Sequence, residues 1–227
     1  MKISLIHPSR GRPEKAKAVY EYWMAKSSGN ADIEHILSLD ISDPTSESYE
    51  VFGINSKIII NHNNSVVEAT NQAAKCSTGD ILVYLSDDFK CPENWDELII
   101  SEFRATDPTF LKEDGFFGEE SPAILKVCDC LQKFNRYIIT IPIMNRLLYK
   151  LLGYFFNPLY KSMFVDNDLY YTCKKIGAIV ECPQLKFPHH HHSVGKSPID
   201  DTYRRSESTF EEGRKIFNER KLAGFPL

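Results

Sequence analysis

Two adjacent carboxylates follow a short apolar run, where Ser86 precedes Asp87 and Asp88. Carboxylates that are partly withdrawn from water repel one another, and a bound divalent cation relieves that repulsion. The pair is therefore a candidate metal or catalytic site. A surface turn is the alternative, because Asp is common where strands end.

A second acidic segment, Asp166 to Asp168, precedes an amphipathic stretch. One interpretation is that either Asp caps the helix that follows. The other is that Asp166 is a general base, since a carboxylate on a loop above a sheet can accept a proton from an incoming hydroxyl.

Four successive histidines occupy positions 189–192. Alternate side chains of an extended segment share a face, so one or two of them could reach a metal ion. A solvated loop and a separate zinc site are the alternatives, although no Cys lies close enough in sequence to complete an obvious four-ligand zinc pattern.

A basic segment, residues 8–12, contains Pro8, Ser9 and Arg12 and follows the first apolar run. Arginines and backbone amides at the start of a helix suit a phosphate group or the edge of a nucleobase. The segment is neither G-x-G-x-x-G nor a Walker loop, which argues against dinucleotide oxidoreductases and P-loop nucleotidases.

The elements that must position these residues alternate between strands and helices. Apolar runs predict strands at 3–7, 33–39, 57–60 and 81–85, and periodic segments predict helices at 13–26 and from Ser65, as N-cap, to about residue 75. This β-α-β-β-α-β order predicts a mostly parallel sheet with helices on both faces. Its ligand should lie beyond the carboxyl ends of the strands.

The second half of the chain is less regular. We predict helices at 93–103, 145–152 and 168–175, strands at 123–128, 137–143 and 178–182, and a terminal helix at 208–221 that Ser208 caps. Residues 195–203 are polar and carry no predicted element. Residues 106–122, rich in Gly, Asp, Glu and Pro, are predicted to form a long loop within one domain.

Composition limits the protein class. The 227 residues carry 27 Lys and Arg against 31 Asp and Glu, a net charge of −4, and 42% are hydrophobic. These values disfavour a general nucleic-acid binder and a disordered chain. The six cysteines are predicted to be reduced, and no apolar run of 18 residues or signal-like segment is visible, so a cytoplasmic soluble protein without a membrane span is expected.

Taken in order, these segments resemble the GT-A-fold glycosyltransferases of family 2. Residues 8–12 resemble the family's Pro-Thr-x-Asn-Arg segment. Asn71, then Gly79 eight residues later and Ser86 seven after that, match the spacing of the family's Asn, Gly and Asp-x-Asp landmarks. Residues 165–169, followed by Gly177, Pro183 and the histidines, resemble its Glu-Asp-x-Asp-Leu segment and later His. The resemblance implies a GT-A fold, that is, one α/β domain with a mostly parallel mixed central sheet flanked by helices.

The resemblance also implies site roles. Asp88 would bind Mn²⁺ or Mg²⁺, with His190 as the later metal ligand and His189 or His192 as alternatives. Asp166 would be the catalytic base. The remaining positions would bind the donor, a nucleotide-diphospho-sugar with UDP-sugars favoured: Pro8, Ser9, Arg12, Asp40, Asn71, Ser86 and Asp87. We expect Asp40, Asp87, Asp88, Asp166 and Asp168 to converge on one cleft, where a divalent cation compensates their charge.

The implied reaction is metal-dependent, inverting transfer of a sugar to the hydroxyl of a saccharide or another acceptor. Within the single domain, residues 1–92 would form the nucleotide-binding half, 93–205 the acceptor half and 206–227 a terminal helix. Ser86 departs from the family pattern and leaves one charge fewer for a metal, and Val165 and Thr70 are further departures. Two alternatives stay open: a sugar-phosphate nucleotidyltransferase, and a non-catalytic nucleotide-sugar or metal-binding module.

Overall fold

The structure is a computed structural model that describes residues 1–50, 52–106, 121–131, 136–192, 195 and 197–227. The loop predicted at 106–122 lies mostly outside these residues. Within them, no helix is both long enough and apolar enough to cross a membrane.

A seven-stranded mixed sheet organises the described part of the chain, in the order β3-β2-β1-β4-β6-β5-β7. Strands β1 to β4 are mutually parallel, β6 runs antiparallel to β4 and β5, and β7 is parallel to β5. The strands are β1 (Lys2–Pro8), β2 (Asp32–Asp40), β3 (Ser56–Asn61), β4 (Ile81–Tyr84), β5 (Ile124–Cys128), β6 (Ile143–Asn145) and β7 (Ile179–Lys186). This confirms the predicted α/β class with a mostly parallel sheet.

The helices flank the sheet, and their starts follow from local sequence. Pro13 stands in the first turn of the first helix, where its missing N–H costs nothing. Ser65 and Asn145 cap their helices by accepting hydrogen bonds from backbone N–H groups three residues later. The helices are α1 (Pro13–Ala25), α2 (Val66–Lys75), α3 (Trp95–Thr106), α4 (Arg146–Leu152), α5 (Val165–Lys175), α6 (Asp201–Glu207) and α7 (Phe210–Leu222).

Two apolar cores lie against the sheet and are built on different helices. One contains Trp23 of α1 and Trp95 of α3, whose rings pack 5.0 Å apart. The other is built on α2, α4 and α5. Helices therefore cover both faces, as expected for a mostly parallel sheet.

Gly79 lies where the chain enters β4, closely packed against β1. A Cβ at this position would come within 2.5 Å of the Ser4 side chain and 2.8 Å of the Ser4 backbone nitrogen. Only a residue without a side chain lets β4 approach β1 this closely.

The strand predicted at 137–143 is wrong, because regular pairing in this region begins only at β6. Ile139 and Ile141 are both buried, which produced the apolar alternation. The Ile139 N–H donates to the Asp166 carbonyl, 3.3 Å away, instead of to a neighbouring strand. In this segment the alternation of apolar residues reflects side-chain burial. It does not reflect hydrogen bonding between strands.

Two helix predictions also need correction. Helix α5 begins at Val165, directly after Phe164 in the left-handed conformation (φ 72°), so Asp166 lies in its first turn and not on a preceding loop. The polar residues before 208 contain an unpredicted helix, α6, which Ser208 ends; α7 follows from Thr209 without a side-chain cap.

Candidate active site

A cleft of about 1560 Å³ opens beyond the carboxyl ends of β1, β2 and β4 and is completed by α5 and α6. Eight of the ten residues predicted to form the site line it. These are Pro8, Ser9, Arg12, Asp40, Ser86, Asp87, Asp88 and Asp166. Parallel strands that end at one edge bring residues 8, 40 and 86–88 together, although up to 80 positions separate them in sequence.

Asp88 lies at the centre of a hydrogen-bond network. Its Oδ1 accepts from the Ser86 hydroxyl (2.7 Å), and its Oδ2 accepts from the Tyr203 hydroxyl (2.7 Å) and contacts His189 Nε2 (3.0 Å). Burial alone would raise the pKa of Asp88, but His189, Tyr203 and Ser86 together lower it well below its ordinary value. Asp88 is therefore a carboxylate anion at neutral pH.

Asp87 links the acidic segment after β4, residues 86–88, to the basic loop after β1, residues 8–12. Its Oδ1 is 2.9 Å from His7 Nε2, and its Oδ2 accepts from the Ser9 hydroxyl at 2.9 Å. Arg12 Nη1 lies 4.0 Å from the same Oδ2. Only 4% of the Asp87 side chain is exposed, so this carboxylate is committed mainly to contacts within the protein.

Residues 200–203 of the C-terminal segment pack against the basic loop. The sequence did not predict this contact. Asp200, the N-cap of α6, receives two hydrogen bonds from the Arg12 guanidinium, at 2.6 and 2.9 Å. The same guanidinium lies 4.3 Å from the centre of the Tyr203 ring. Asp200 followed by a polar helix-like stretch could have indicated a capped helix, but no local signal identifies Arg12 as its partner.

Asp166 contributes the second acidic group of the cleft. Its Oδ1 accepts the Asn167 backbone N–H at 2.9 Å. Burial, only partly offset by backbone hydrogen bonds and by His189, raises the pKa of Asp166 to about 6. A carboxylate with a pKa near the working pH combines ionisation with proton affinity, which suits a general base.

Asp40 forms the third wall, at the end of β2. It pairs with Arg10 and accepts the Ser42 backbone N–H at 2.9 Å. Burial works in the opposite direction, but the bonds from Ser42 and the charge of Arg10 lower the pKa of Asp40. Arg10 therefore compensates the charge of Asp40, so this carboxylate does not depend on a divalent cation.

Asn71 does not line the cleft. Its amide donates to the carbonyl of Phe156 (2.7 Å) and accepts from the backbone N–H groups of Phe155 (3.0 Å) and Phe156 (2.9 Å). The structure thus places Asn71 where it holds the segment after α4 and not where it would touch a donor.

Asp168 was wrongly expected in the cleft. One helical position after Asn167, it turns into the protein and is 1% exposed. Its carboxylate binds Arg220 Nε at 2.6 Å and accepts the Tyr160 hydroxyl at 3.2 Å. Asp168 therefore ties α5 to α7 through a buried ion pair.

The histidines of the run differ in whether their side chains face the cleft. His189 and His191 line the cleft, whereas the side chain of His190 does not. The His190 backbone N–H donates to the Asp88 carbonyl at 2.8 Å, which fixes the run beside the acidic pair. His192 contacts Glu207 at 2.8 Å. Burial lowers the pKa of His191 to about 4, so its ring is neutral at pH 7.

Asp88 and the neighbouring histidines can be tested as metal ligands by their donor atoms. Among the described residues, no group of three or more His, Cys, Asp or Glu side chains is arranged to hold a metal ion. Asp88 is an ionised carboxylate, and the buried Nδ1 of His189 has no hydrogen-bond partner in the described part of the chain. These donors fit Mn²⁺ or Mg²⁺ bound through one carboxylate and the oxygens of a diphosphate, which is a common arrangement for Mg²⁺.

The fold and the site together define an α/β protein with an acidic cleft at the carboxyl edge of its sheet. Comparison with known families identifies the family to which this protein belongs. The glycosyl transferase family 2 model matches residues 23–152, more than half of the chain. The protein therefore belongs to glycosyl transferase family 2. No curated protein sequence matches the chain significantly.

Solved structures with the same fold are distant in sequence. The Staphylococcus aureus TarS 1–349 complex with UDP-GlcNAc aligns with a TM-score of 0.58 at 15% identity, covering 90% of this chain and 64% of that one. The Pyrobaculum calidifontis mannosyltransferase PcManGT, in complex with GDP-Man and Mn²⁺, aligns with a TM-score of 0.61 at 14% identity, covering 82% and 56%. Glucosyl-3-phosphoglycerate synthase from Mycobacterium tuberculosis, with Mn²⁺, UDP and phosphoglyceric acid, gives 0.55 at 15%, covering 86% and 73%.

These likenesses establish the GT-A fold. The chain covers 36% of a longer TarS structure and less than two thirds of the TarS and mannosyltransferase chains described here.

Proposed function

We propose that the protein is a metal-dependent, inverting glycosyltransferase that moves a sugar from a nucleotide-diphospho-sugar, with UDP-sugars favoured, to an acceptor hydroxyl. One observation carries the proposal. A low-pKa carboxylate, Asp88, and a raised-pKa carboxylate, Asp166, share one cleft at the carboxyl edge of a GT-A sheet. Membership of family 2 and structural neighbours crystallised with UDP-GlcNAc, GDP-Man and Mn²⁺ support it.

The donor half of the reaction falls to the loop after β1 and the ends of β2 and β4. Pro8, Ser9 and Arg12 would line the pocket for the base, and Asp40 would meet the ribose or the base. Ser86 and Asp87 would lie beside the diphosphate and the donor sugar. The cation, held by Asp88 with His189 or His191 nearby, would supply positive charge to the diphosphate as it leaves. In this proposal the metal role moves from His190 to histidines whose side chains line the cleft.

The acceptor half falls to Asp166. Its carboxylate would take the proton from the acceptor hydroxyl as that oxygen forms a bond to the anomeric carbon. The bond between the anomeric carbon and the diphosphate oxygen breaks in the same step, and its electron pair leaves with the nucleoside diphosphate. Attack on the face opposite the leaving group inverts the anomeric configuration.

Calorimetry tests the donor half. UDP, GDP and dTDP are titrated into the protein with and without Mn²⁺, and we expect Mn²⁺-dependent binding of at least one of them. Asp88→Asn should weaken that binding about tenfold or more, because a charged metal ligand is lost. The matched control is Asp32→Asn, since Asp32 is exposed at the start of β2 and does not line the cleft. Binding of none of the three nucleotides would refute the proposal.

Turnover tests the acceptor half. Release of nucleoside diphosphate from a panel of nucleotide-sugars is measured with saccharide acceptors. Asp166→Asn should lower kcat about 100-fold or more while the affinity for the nucleoside diphosphate stays unchanged, because only the base is lost. Pyrophosphate release from a nucleoside triphosphate and a sugar phosphate would support a nucleotidyltransferase instead. Tight nucleotide binding without turnover of any donor would indicate a binding module.

A further inference from the structure

A line of hydrogen-bonded side chains runs through the sheet from β3 to the cleft. Ser56 Oγ on β3 is 3.2 Å from His35 Nδ1 on β2, and His35 Nε2 is 2.9 Å from His7 Nδ1 on β1. His7 Nε2 in turn is 2.9 Å from Asp87 Oδ1. His7 is 0% exposed and His35 is 1% exposed.

The protons of this line can be assigned from its end. A carboxylate only accepts, so His7 Nε2 carries a hydrogen that it donates to Asp87. If His7 is neutral, its Nδ1 has a lone pair and accepts from His35 Nε2–H, and His35 Nδ1 then accepts from the Ser56 hydroxyl. Every hydrogen bond in this assignment points toward Asp87, and no donor or acceptor in the line is left without a partner.

A rival assignment makes His7 a buried imidazolium that donates from Nδ1 to His35 Nε2, with His35 Nδ1–H donating to Ser56. Both assignments keep the hydrogen bond from His7 Nε2–H to Asp87, and this bond is the contact that positions the carboxylate. Burial and the neighbouring His7 lower the pKa of His35 far below its ordinary value, so His35 is neutral and its ring accepts at one nitrogen and donates at the other.

The rings are also held in place by packing. The Tyr20 and Phe52 rings pack against the His35 ring, with centroid separations of 4.5 and 5.8 Å, and against each other at 5.5 Å. His35 therefore presents Nε2 to His7 in one orientation. Because His35 holds Nδ1 of His7, the line fixes the direction of the hydrogen that His7 Nε2 donates to Asp87.

The line of hydrogen bonds acts on the basic loop, residues 8–12, through Asp87. Asp87 uses Oδ1 for His7, which leaves Oδ2 for Ser9 and for the approach of Arg12. Ser9 and Arg12 lie in the segment proposed to receive the donor base. We propose that His7 and His35 are positioning residues of the donor site: they hold the Asp87 carboxylate in the one orientation that anchors this loop. The inference rests on the proposed function for its meaning, but its geometry can be tested without a donor.

Nitrogen-15 NMR of the full-length protein tests the proton assignment. Long-range spectra at pH 7 distinguish the two neutral tautomers of imidazole from the imidazolium. His7→Gln and His35→Gln spectra assign the two rings. We expect a proton at Nε2 of His7, facing Asp87, and a neutral His35 ring. A His7 ring protonated only at Nδ1 would overturn the hydrogen bond to Asp87.

Hydrogen exchange tests the anchoring. His7→Leu removes the donor to Asp87, and we expect exchange at the backbone amides of residues 9–12 to become about tenfold faster, the scale set by losing a hydrogen bond to a charged group. In His7→Gln the amide nitrogen takes the place of Nε2 and should recover most of the protection. His62→Leu is the control, because His62 is exposed and does not line the cleft. Equal exchange in all three variants would refute the positioning role.

Nucleotide affinity gives a third measurement. His7→Leu should weaken binding of the nucleoside diphosphate about tenfold, and His7→Gln should regain most of that loss. In an Asp87→Asn background, His7→Leu should add less than a twofold change, because His7 acts through Asp87. Fully additive losses would mean that His7 only fills space in the core.

The outcomes separate the two proposals. If the wild-type protein binds no nucleoside diphosphate, the proposed function fails, while the NMR and exchange results still decide whether the line anchors residues 9–12. If nucleotide binds normally but His7→Leu changes neither exchange nor affinity, the positioning role fails and the proposed function stands.

Discussion

Replacing Asp166 by Asn should raise the stability of the protein and lower its activity. The pKa of Asp166 is raised from an ordinary value of 3.8 to about 6, chiefly by burial. The folded protein therefore binds this proton more tightly than the unfolded chain does. A gap of about two pKa units corresponds to about 3 kcal/mol of unfolding free energy.

The sign follows from where the proton resides. Below pH 3.8 the carboxyl is protonated in both states and costs nothing. Between pH 3.8 and about 6 the unfolded chain has lost the proton while the folded protein keeps it, so stability falls as pH rises. Above pH 6 the full cost applies. Asn is neutral throughout and keeps an oxygen acceptor for the Asn167 N–H.

We therefore expect Asp166→Asn to stabilise the metal-free, donor-free protein. The gain should be about 1 kcal/mol at pH 4.5 and about 3 kcal/mol at pH 8, from the same two pKa values. Urea unfolding at both pH values measures it, with the fluorescence of the buried Trp23 and Trp95 as the probe. The same substitution should lower kcat for glycosyl transfer about 100-fold or more.

The control and the refuting result are specific. Asp32→Asn removes an exposed carboxylate and should change stability by less than about 0.5 kcal/mol at either pH. If Asp166→Asn gives the same free-energy difference at pH 4.5 and pH 8, or destabilises at pH 8, the raised pKa is wrong. The general-base role would then lose its main physical support.

Three further substitutions test other parts of the structure. Asp168→Ala leaves Arg220 buried without its partner and should cost about 3 to 5 kcal/mol in urea unfolding, with nucleotide affinity of the folded protein unchanged. Tyr203→Phe removes a hydroxyl that competes for Asp88 and should tighten Mn²⁺ binding several-fold in calorimetry. Gly79→Ala forces a Cβ against β1 and should destabilise by about 1 to 3 kcal/mol, measured by the same unfolding assay.

Each of the three has a contrary outcome. A loss below about 1 kcal/mol for Asp168→Ala would mean that water reaches the Arg220 pair. Unchanged or weaker Mn²⁺ binding in Tyr203→Phe would mean that the hydroxyl stays in place beside a bound cation. For Gly79→Ala, a loss below about 0.5 kcal/mol would contradict the close-approach explanation.

Local signals predicted the first half of the fold well. Strands β1, β2 and β4 are largely buried and β3 is a partly exposed edge strand, but all four contain short apolar runs. The starts of α1 and α2 carry Pro13 and the Ser65 cap. Prediction failed where local pattern and tertiary contact disagree. In the segment from 137, Ile139 and Ile141 are buried, yet the Ile139 N–H donates to α5. Bonding to a strand begins only at Pro142, whose carbonyl accepts the Tyr84 N–H of β4.

The site shows the same division. The resemblance to family 2 predicted that Asp87, Asp88 and Asp166 lie together, and all three line the cleft at the carboxyl edge of the sheet. Asp168 shows the limit of that inference. Two residues further along the same helix, a side chain points in another direction, and its partner Arg220 lies 52 positions away.

By itself, the sequence determined the class of fold and the edge at which the site forms, since hydrophobic period and the order of strands along the chain are local properties. Its resemblance to family 2 supplied most of the residues that line the cleft. Only the tertiary structure decided what each of those residues does. The contacts that decide these roles join segments that are distant in sequence. They are the ion pair of Arg12 with Asp200, the hydrogen bond from the Tyr203 hydroxyl to Asp88, and the line from His35 through His7 to Asp87. The pKa of a carboxylate and the direction of a hydrogen bond depend on such neighbours, and no local pattern encodes them.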